Sequence, residues 1–335
     1  MRGGTGDDTF LVENKLDQVI ENYDEGFDTA IIYSRFADDQ INSINTYENV
    51  DAIIVADDTY TMSENIDIIT NSTDTLGRII VGNAGNNKLQ GGAGDDTLIG
   101  GADSDLLIGG DGNDILVGSG YKQIESRLPD SIVNNIQKFS DGWAWDRIDA
   151  DYFVGGLGSD IMYGGKPSSD SVDEDGDNDY FFIDVNRYDN SDNVDLIKEF
   201  YVASTDPTAE DYLIFSKEQL GISDEQWNDL SNTTLDMSEL TTKVPEVKNI
   251  PFLTDEYFIK VNGISNYAVE PLFKDDKFAF ILDYSTGDLY FDEDGDRDVG
   301  DEYLVANISI QSAGDDLEDL HANQILIVDS FDFLI

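Results

Sequence analysis

The chain has 335 residues, enough for about two domains of ordinary size. It carries 71 Asp plus Glu against 19 Lys plus Arg, a formal net charge of −52, which repels polyanions and so excludes nucleic acid and anionic membrane surfaces as partners. No apolar run is long enough for a membrane-spanning segment, while 40% apolar residues together with 30 Gly give a globular composition rather than a disordered acidic tail.

The N-terminal Met1-Arg2 leads straight into a glycine turn, so no N-terminal export signal is expected at the start of this sequence. Gly3 to Leu11 reads GGTGDDTFL, and opening inside such a block predicts a larger parent protein with more sequence upstream. From 12 to 81, short runs such as Ala30-Ile31-Ile32-Tyr33, Ala52-Ile53-Ile54-Val55 and Ile66-Asp67-Ile68-Ile69 have strand length and are separated by Asp, Asn and Gly. They predict wide β-coils.

From Gly82 to Val117 the sequence falls into four nines, GNAGNNKLQ, GGAGDDTLI, GGADSDLLI and GGDGNDILV. Glycine holds the first place, Asp or Asn the sixth and Leu the eighth. A fixed short period of this kind predicts a mainly β fold, a parallel β-roll or β-helix whose units bury their apolar place only against neighbours. If two nines complete a coil, residues 18 apart stack at about 4.8 Å. Asp96 then lies over Asp114, and Asn87 over Asp105. A calcium ion midway would sit about 2.4 Å from each side chain, a normal Ca–O distance. Gly91, Gly92, Gly94, Gly109, Gly110 and Gly112 are expected to supply positive φ and aim carbonyls at the same ion. Without a cation, two carboxylates about 5 Å apart repel by roughly 3 kcal/mol at an effective dielectric near 20. Folding is therefore expected to require calcium, with magnesium the poorer choice. The absence of Cys fits a reducing cytosol or an extracellular protein held by something other than disulfides, and the acid excess makes oxygen-bound hard cations that something.

Residues 118 to 154 break the period and contain Phe139, Trp143, Trp145 and Phe153, which reads as an insertion packed on the roll or a small carbohydrate-contacting surface. Gly155 to Tyr163 (GGLGSDIMY) resumes the repeat, and Asp173 to Phe182 (DEDGDNDYFF) is a degraded copy. Pro167 to Asp177 reads as a polar loop. Tyr180-Phe181-Phe182-Ile183 and Val194-Asp195-Leu196-Ile197 read as closing strands, and Ser216 with Gln219 and Ser223 with Gln226 fit helix-capping pairs, making 209 to 232 the most helical stretch expected. Asp206-Pro207 is the one Asp-Pro bond; it reads as a turn, with calcium-dependent self-cleavage as the alternative.

Phe278 to Phe291 predicts an antiparallel hairpin turning at Gly287, suited to covering an open roll end that would otherwise aggregate. Asp292 to Glu302 (DEDGDRDVGDE) repeats the acidic string of Asp173 to Asp179. Its Gly295 stands fourth rather than sixth, which argues against an EF-hand and leaves a non-EF calcium loop or a solvated turn. The apolar terminus Ile325 to Ile335 reads as a last strand.

GGAGDDTLIGG and GGDGNDILV resemble the GGxGxDxUx nonapeptides of the RTX (repeats-in-toxin) proteins. The opening block with YENVDAIIV and SENIDIIT resembles the irregular coils that precede them, and FAFILDYSTGDLYFDEDG resembles the family's recurrent cap, with Leu282 in place of an aromatic. This resemblance implies a parallel β-roll, calcium in its turns and export by the type I secretion apparatus of a Gram-negative bacterium, with the terminus as an uncleaved export signal. By position it implies sixth-place ligands at Asp8, Asp96, Asp105, Asp114 and Asp160, a weaker one at Asn87, and Asp103 as an extra carboxylate or a distorted turn where glycine is usual. The candidate metal set also takes in turn residues Gly91, Ala93, Gly109, Asp111 and Gly155, and the strings Asp173, Asp175, Asp177, Asp179 and Asp292, Asp294, Asp296, Asp298. The organisation expected is a roll over 1–117, the insertion over 118–154, a second roll segment with a short helical region over 155–242, and a cap with secretion signal over 243–335.

One His, His321, leaves no H-E-x-x-H site or His-based triad, and neither a G-x-S-x-G elbow nor a phosphate loop occurs. Abundant acids single out no glycosidase pair. The chain is not expected to be an enzyme. Two functions stay open: a calcium-responsive folding and secretion module of an exported toxin, adhesin or surface protein, or the accessory, glycan-contacting end of a secreted protease, lipase or alginate epimerase with its catalytic domain upstream. Polysaccharide or a host surface is the further partner considered.

Overall fold

Alternation within each nine explains the strands of the computed structural model, since the eighth-place side chain turns inward and its neighbours turn out. The structure describes residues 2–3, 5–12, 19–20, 27–33, 47–48, 52–56, 67–69, 77–83, 85–102, 104–119, 121, 124–139, 150–164, 178–185, 194–200, 202, 211–229, 234–235, 250–251, 253, 257–264, 278–293, 302–310, 317, 320–328 and 331. The chain is mainly β and falls into two compact units, Met1–Asp177 and Asn178–Ile335.

The first unit is a parallel β-roll. One sheet stacks β1 (Thr9–Val12), β3 (Thr29–Tyr33), β5 (Ala52–Ala56), β7 (Ile79–Val81), β9 (Thr97–Gly101), β11 (Ile115–Ser119) and β13 (Ile161–Tyr163) in that order; β6 (Asp67–Ile69), β8 (Lys88–Gln90), β10 (Leu106–Asp111) and β12 (Tyr152–Leu157) stack in the other. A short parallel pair joins β2 (Val19–Ile20) and β4 (Tyr47–Glu48). Register follows the repeat: Leu98 pairs with Leu116, Leu116 with Met162, Leu89 with Leu107, and Leu107 with Phe153. These eighth-place residues are all fully buried, as is Ile80. The predicted stacking of residues 18 apart is therefore present, and Phe153 belongs to the roll core rather than to an aromatic surface.

The insertion contains α1 (Asp130–Phe139), the longest helix among the described residues. Sequence reading placed the helical maximum later, at 209 to 232, because α1 lacks a polar N-cap signature. Its helical cue is the spacing of Leu128, Ile132 and Ile136, four apart. Pro129 opens the helix, its carbonyl accepting the N–H groups of Ile132 and Val133 at 2.9 and 3.1 Å. Ile132 and Ile136 pack with Ile54, Val81, Ile99, Val117 and Tyr163, the ninth-place stripe on the outside of the larger sheet. Fully burying an isoleucine gains about 1.5–3 kcal/mol, so α1 turns an otherwise exposed apolar stripe into a second core. Leu11, at the ninth place of the first block, remains 48% exposed. Trp143 and Trp145 lie outside the described residues.

In the second unit, β14 (Tyr180–Ile183), β16 (Tyr212–Ser216) and β23 (Ile325–Val328) stack in parallel, so Ile325–Val328 of the apolar terminus forms a strand. β15 (Asp195–Phe200) pairs in parallel with β22 (Tyr303–Ile310). The predicted hairpin is formed by β20 (Ala279–Asp283) and β21 (Asp288–Asp292); β21 joins β22 antiparallel, and β19 (Phe258–Val261) adds to β20. β17 (Thr234–Leu235) and β18 (Ile250–Pro251) make a small antiparallel pair. Pairing in this sheet is thus antiparallel from β22 through β20, and parallel again between β20 and β19. Their inner face is aromatic: Phe280 meets Phe215 and Phe291 at ring separations of 4.9 and 5.0 Å, and Phe278 meets Tyr257 at 4.9 Å. Both predicted caps are made. Ser216 Oγ accepts from Gln219 N–H before α2 (Lys217–Leu220), and Ser223 Oγ accepts from Gln226 N–H at 3.2 Å before α3 (Asp224–Asp229).

Candidate metal centre

The sixth-place acids form a buried ladder. Each carboxylate accepts the backbone N–H of the sixth-place residue one coil earlier: Asp96 from Arg78, Asp105 from Asn87 and Asp114 from Asp96, all at 2.7 Å. Asp151 then accepts from Asp105, and Asp160 from Asp114, at 2.8 Å. Here the separation is 46 residues rather than 18, an excess of 28 that the insertion supplies without breaking the ladder. Asp96, Asp105, Asp114, Asp151 and Asp160 are all buried. Fifth-place side chains stitch the coils in the opposite sense at the surface: Asp95 accepts the Asn113 N–H and Asn113 the Ser159 N–H, each at 2.9 Å.

The carboxylates face close-packed glycine turns. A Cβ at Gly109 would overlap both Asp114 Oδ2 and the Gly155 carbonyl oxygen, and one at Gly91 would overlap Asp96 Oδ2 and the Gly109 carbonyl. Lack of room, not backbone conformation, therefore requires glycine at the first place. Of the six turn glycines expected at positive φ, Gly110 and Gly112 take it, at 117° and 126°, whereas Gly91, Gly92, Gly94 and Gly109 do not. A Cβ at Gly110 or Gly112 would also overlap a carbonyl oxygen one coil earlier, that of Gly92 or Gly94 respectively. Each turn thus gathers oxygen: one carboxylate and several carbonyls.

Asp114 carries the clearest electrostatic signature. Its Oδ2 is buried and receives no hydrogen bond. Burial pushes its carboxyl up to about 8, against the Asp96 N–H bond that favours the charged form, with the charges of Asp160, Asp96 and Asp95 adding to the rise. Removal from water, more than repulsion between stacked acids, is what destabilises this charge. Among the described residues no three His, Cys, Asp or Glu side chains converge on a common point. The donor set is instead one carboxylate per turn with backbone carbonyls, all hard oxygen, which fits calcium. A bound cation would supply the positive charge that Asp114 Oδ2 lacks.

The remaining candidates divide by place. Asp8 is half-buried beside Gly3, and its N–H donates to Asp28 at 3.0 Å. Asn87 is buried, whereas Asp111 is exposed and Ala93 half-exposed at third places. Asp179 donates its N–H to Asp211 at 3.0 Å, the same ladder bond in the second unit. Asp292 is buried at the end of β21. Asp103, Asp173, Asp175, Asp177, Asp294, Asp296 and Asp298 lie outside the described residues, as does Asp206-Pro207. Sequence reasoning missed Asp28, Asp151 and Asp211 as ladder members. The cue for Asp151 was available: it stands nine before Asp160, with Phe153 at its eighth place.

The RTX calcium-binding nonapeptide repeat family matches residues 79–120 and 146–166, in four copies. The second match begins inside the insertion and takes in Asp151. No curated protein matches the chain in sequence. The chain thus carries RTX repeats folded as a parallel β-roll, and these repeats bind calcium, more than one ion to a chain. No helix among the described residues is long and apolar enough to cross a membrane.

Proposed function

We propose that this RTX-type chain is a non-catalytic, calcium-dependent folding and secretion module of a protein exported from a Gram-negative bacterium by a type I apparatus. The observation that carries this reading is the ladder of buried carboxylates, with Asp114 Oδ2 given no donor by the protein. Where calcium is scarce, as in cytosol, the unpaired buried charge disfavours the roll and leaves the chain threadable. Where calcium is plentiful, binding to the folded state alone stabilises it and draws the chain outward by mass action. The sixth-place acids Asp96, Asp105, Asp114, Asp151 and Asp160, with carbonyls of Gly92, Gly94, Gly109, Gly110 and Gly155, would hold the ions. Adhesion to a host surface or polysaccharide would be a property of the exported whole.

The apolar strand Ile325–Val328 lies in the segment read as the export signal. Co-expression with a type I exporter tests the proposal: the full chain is expected in the medium, folded only when calcium is present. Deleting residues 326–335 is expected to retain the chain in the cell. Secretion that survives this deletion, or a roll that folds equally in chelator, would overturn it.

A further inference from the structure

The ladder is interrupted at one coil. Along the sheet that carries β1, β3, β7, β9, β11 and β13, the described sixth-place residues are Asp8, Asp28, Arg78, Asp96, Asp114 and Asp160. Arg78 is the cation in this row of acids. It is in register, since Ile79 pairs with Thr97 and the Arg78 N–H bonds Asp96 Oδ1 at 2.7 Å, and it is only 4% exposed. The opposite sheet has Asn87 at the sixth place of the same coil. That side chain closes on its own turn, Oδ1 accepting the Asn83 N–H at 2.8 Å and Nδ2 donating to Asn83 Oδ1 at 3.1 Å. The coil from Arg78 to Asn87 therefore offers no sixth-place carboxylate on either sheet.

The next acid reflects this. Asp96, one coil beyond Arg78, has both oxygens bonded to backbone, Oδ1 to Arg78 N–H and Oδ2 to Gly92 N–H, each at 2.7 Å. Asp114, one coil further, has no donor on Oδ2.

We propose that the Arg78–Asn87 coil is a metal-free terminator of the calcium column, in which the Arg78 guanidinium supplies the positive charge that calcium supplies further along. Arginine stays charged at any physiological pH, and this one is buried within the row of acids. A divalent ion beside it would be repelled. The coil is accordingly a seam that holds without calcium and on which the calcium-dependent coils assemble. This inference rests on the calcium reading above.

The test uses the full chain. Calcium bound per chain, counted by equilibrium dialysis, is expected to rise by one in Arg78→Asp, which restores an acid to the row; an unchanged count in folded protein overturns the terminator. Hydrogen exchange of the Ile79–Val81 amides in chelator gives the second reading. Wild type and Arg78→Lys are expected to keep protection there while residues 115–119 lose it, and Arg78→Leu to exchange at least tenfold faster. Equal exchange in the Lys and Leu variants, or loss of protection at 79–81 in wild type, overturns it. These variants decide the matter if Arg78→Asp does not fold. A wild-type chain that binds no calcium would instead remove the calcium reading itself, independently of how the Lys and Leu variants compare.

Discussion

The Asp114 carboxylate accepts the backbone N–H of Asp96, one full coil earlier, through Oδ1 at 2.7 Å, and leaves Oδ2 buried without a donor. One side chain thereby performs two tasks. Its first oxygen fixes the register between coils, and its second demands a cation. Folding and metal binding are coupled in the same residue.

Chelation should therefore act on the roll more than on the rest of the chain. With excess chelator, the amides of β9, β11 and β13 are expected to lose most of their exchange protection, while those of the aromatic hairpin β20–β21 are retained. Far-UV circular dichroism should lose part of its β signal and recover it on adding calcium. Equal protection of both regions in chelator would contradict the coupling.

The two oxygens of Asp114 can be separated by substitution. Asp114→Asn keeps an acceptor for the Asp96 N–H and removes the charge, so its calcium-free form should be at least as stable as wild type while its calcium response weakens. Asp114→Ala also strands a buried N–H, a loss of about 1–3 kcal/mol. Melting temperatures of the three proteins, with and without calcium, check the order.

Gly109 is constrained by space. In Gly109→Ala the new methyl would meet Asp114 Oδ2 and the Gly155 carbonyl, the oxygens that would receive the ion. Overpacking of this kind costs about 1–3 kcal/mol. Calcium affinity measured by titration calorimetry is expected to fall along with the melting temperature. Gly6→Ala serves as the comparison, since a Cβ there meets nothing within 4 Å although φ is 104°; it should leave calcium affinity at the tandem repeats unchanged.

The hairpin has a pH dependence of its own. Burial acts to raise the Asp283 carboxyl, but hydrogen bonds from Ser285 Oγ and from the N–H groups of Gly263, Ser285 and Ile264 outweigh it and hold the group below the ordinary carboxylate range. With its folded value depressed, Asp283 contributes stability above the unfolded carboxylate value, and that contribution is lost as pH falls through the folded one. Acid should loosen the β19–β20–β21 region, and Asp283→Asn should reduce this acid sensitivity. Exchange protection of residues 258–261 between pH 6 and pH 3 reports both.

Capping chemistry was legible without coordinates wherever it is local. Ser216 with Gln219 and Ser223 with Gln226 sit within one helical turn, so their types and spacing suffice. α1 was not legible as the cover of the roll, because Ile132 and Ile136 acquire their meaning only against Ile54, Val81, Ile99, Val117 and Tyr163, brought in from five coils. Asp151 lay between these cases. Its sixth place was written nine residues before Asp160, but the 28 inserted residues hid that Asp105 is its neighbour.

The sequence by itself determined the period, and with it the inward leucines, the stacking of Asp96 on Asp114 and the oxygen-rich turns, because a nine-residue repeat leaves a chain of alternating strands little choice about which residues meet. Only the tertiary structure decided how the acids are used. The carboxylates do not merely oppose one another across a gap: each binds the amide of the coil before it, and burial more than mutual repulsion sets the energy of Asp114. Tertiary structure also placed Arg78 in the row of acids, since an arginine in an irregular stretch has no period to reveal it until strand register sets Ile79 beside Thr97.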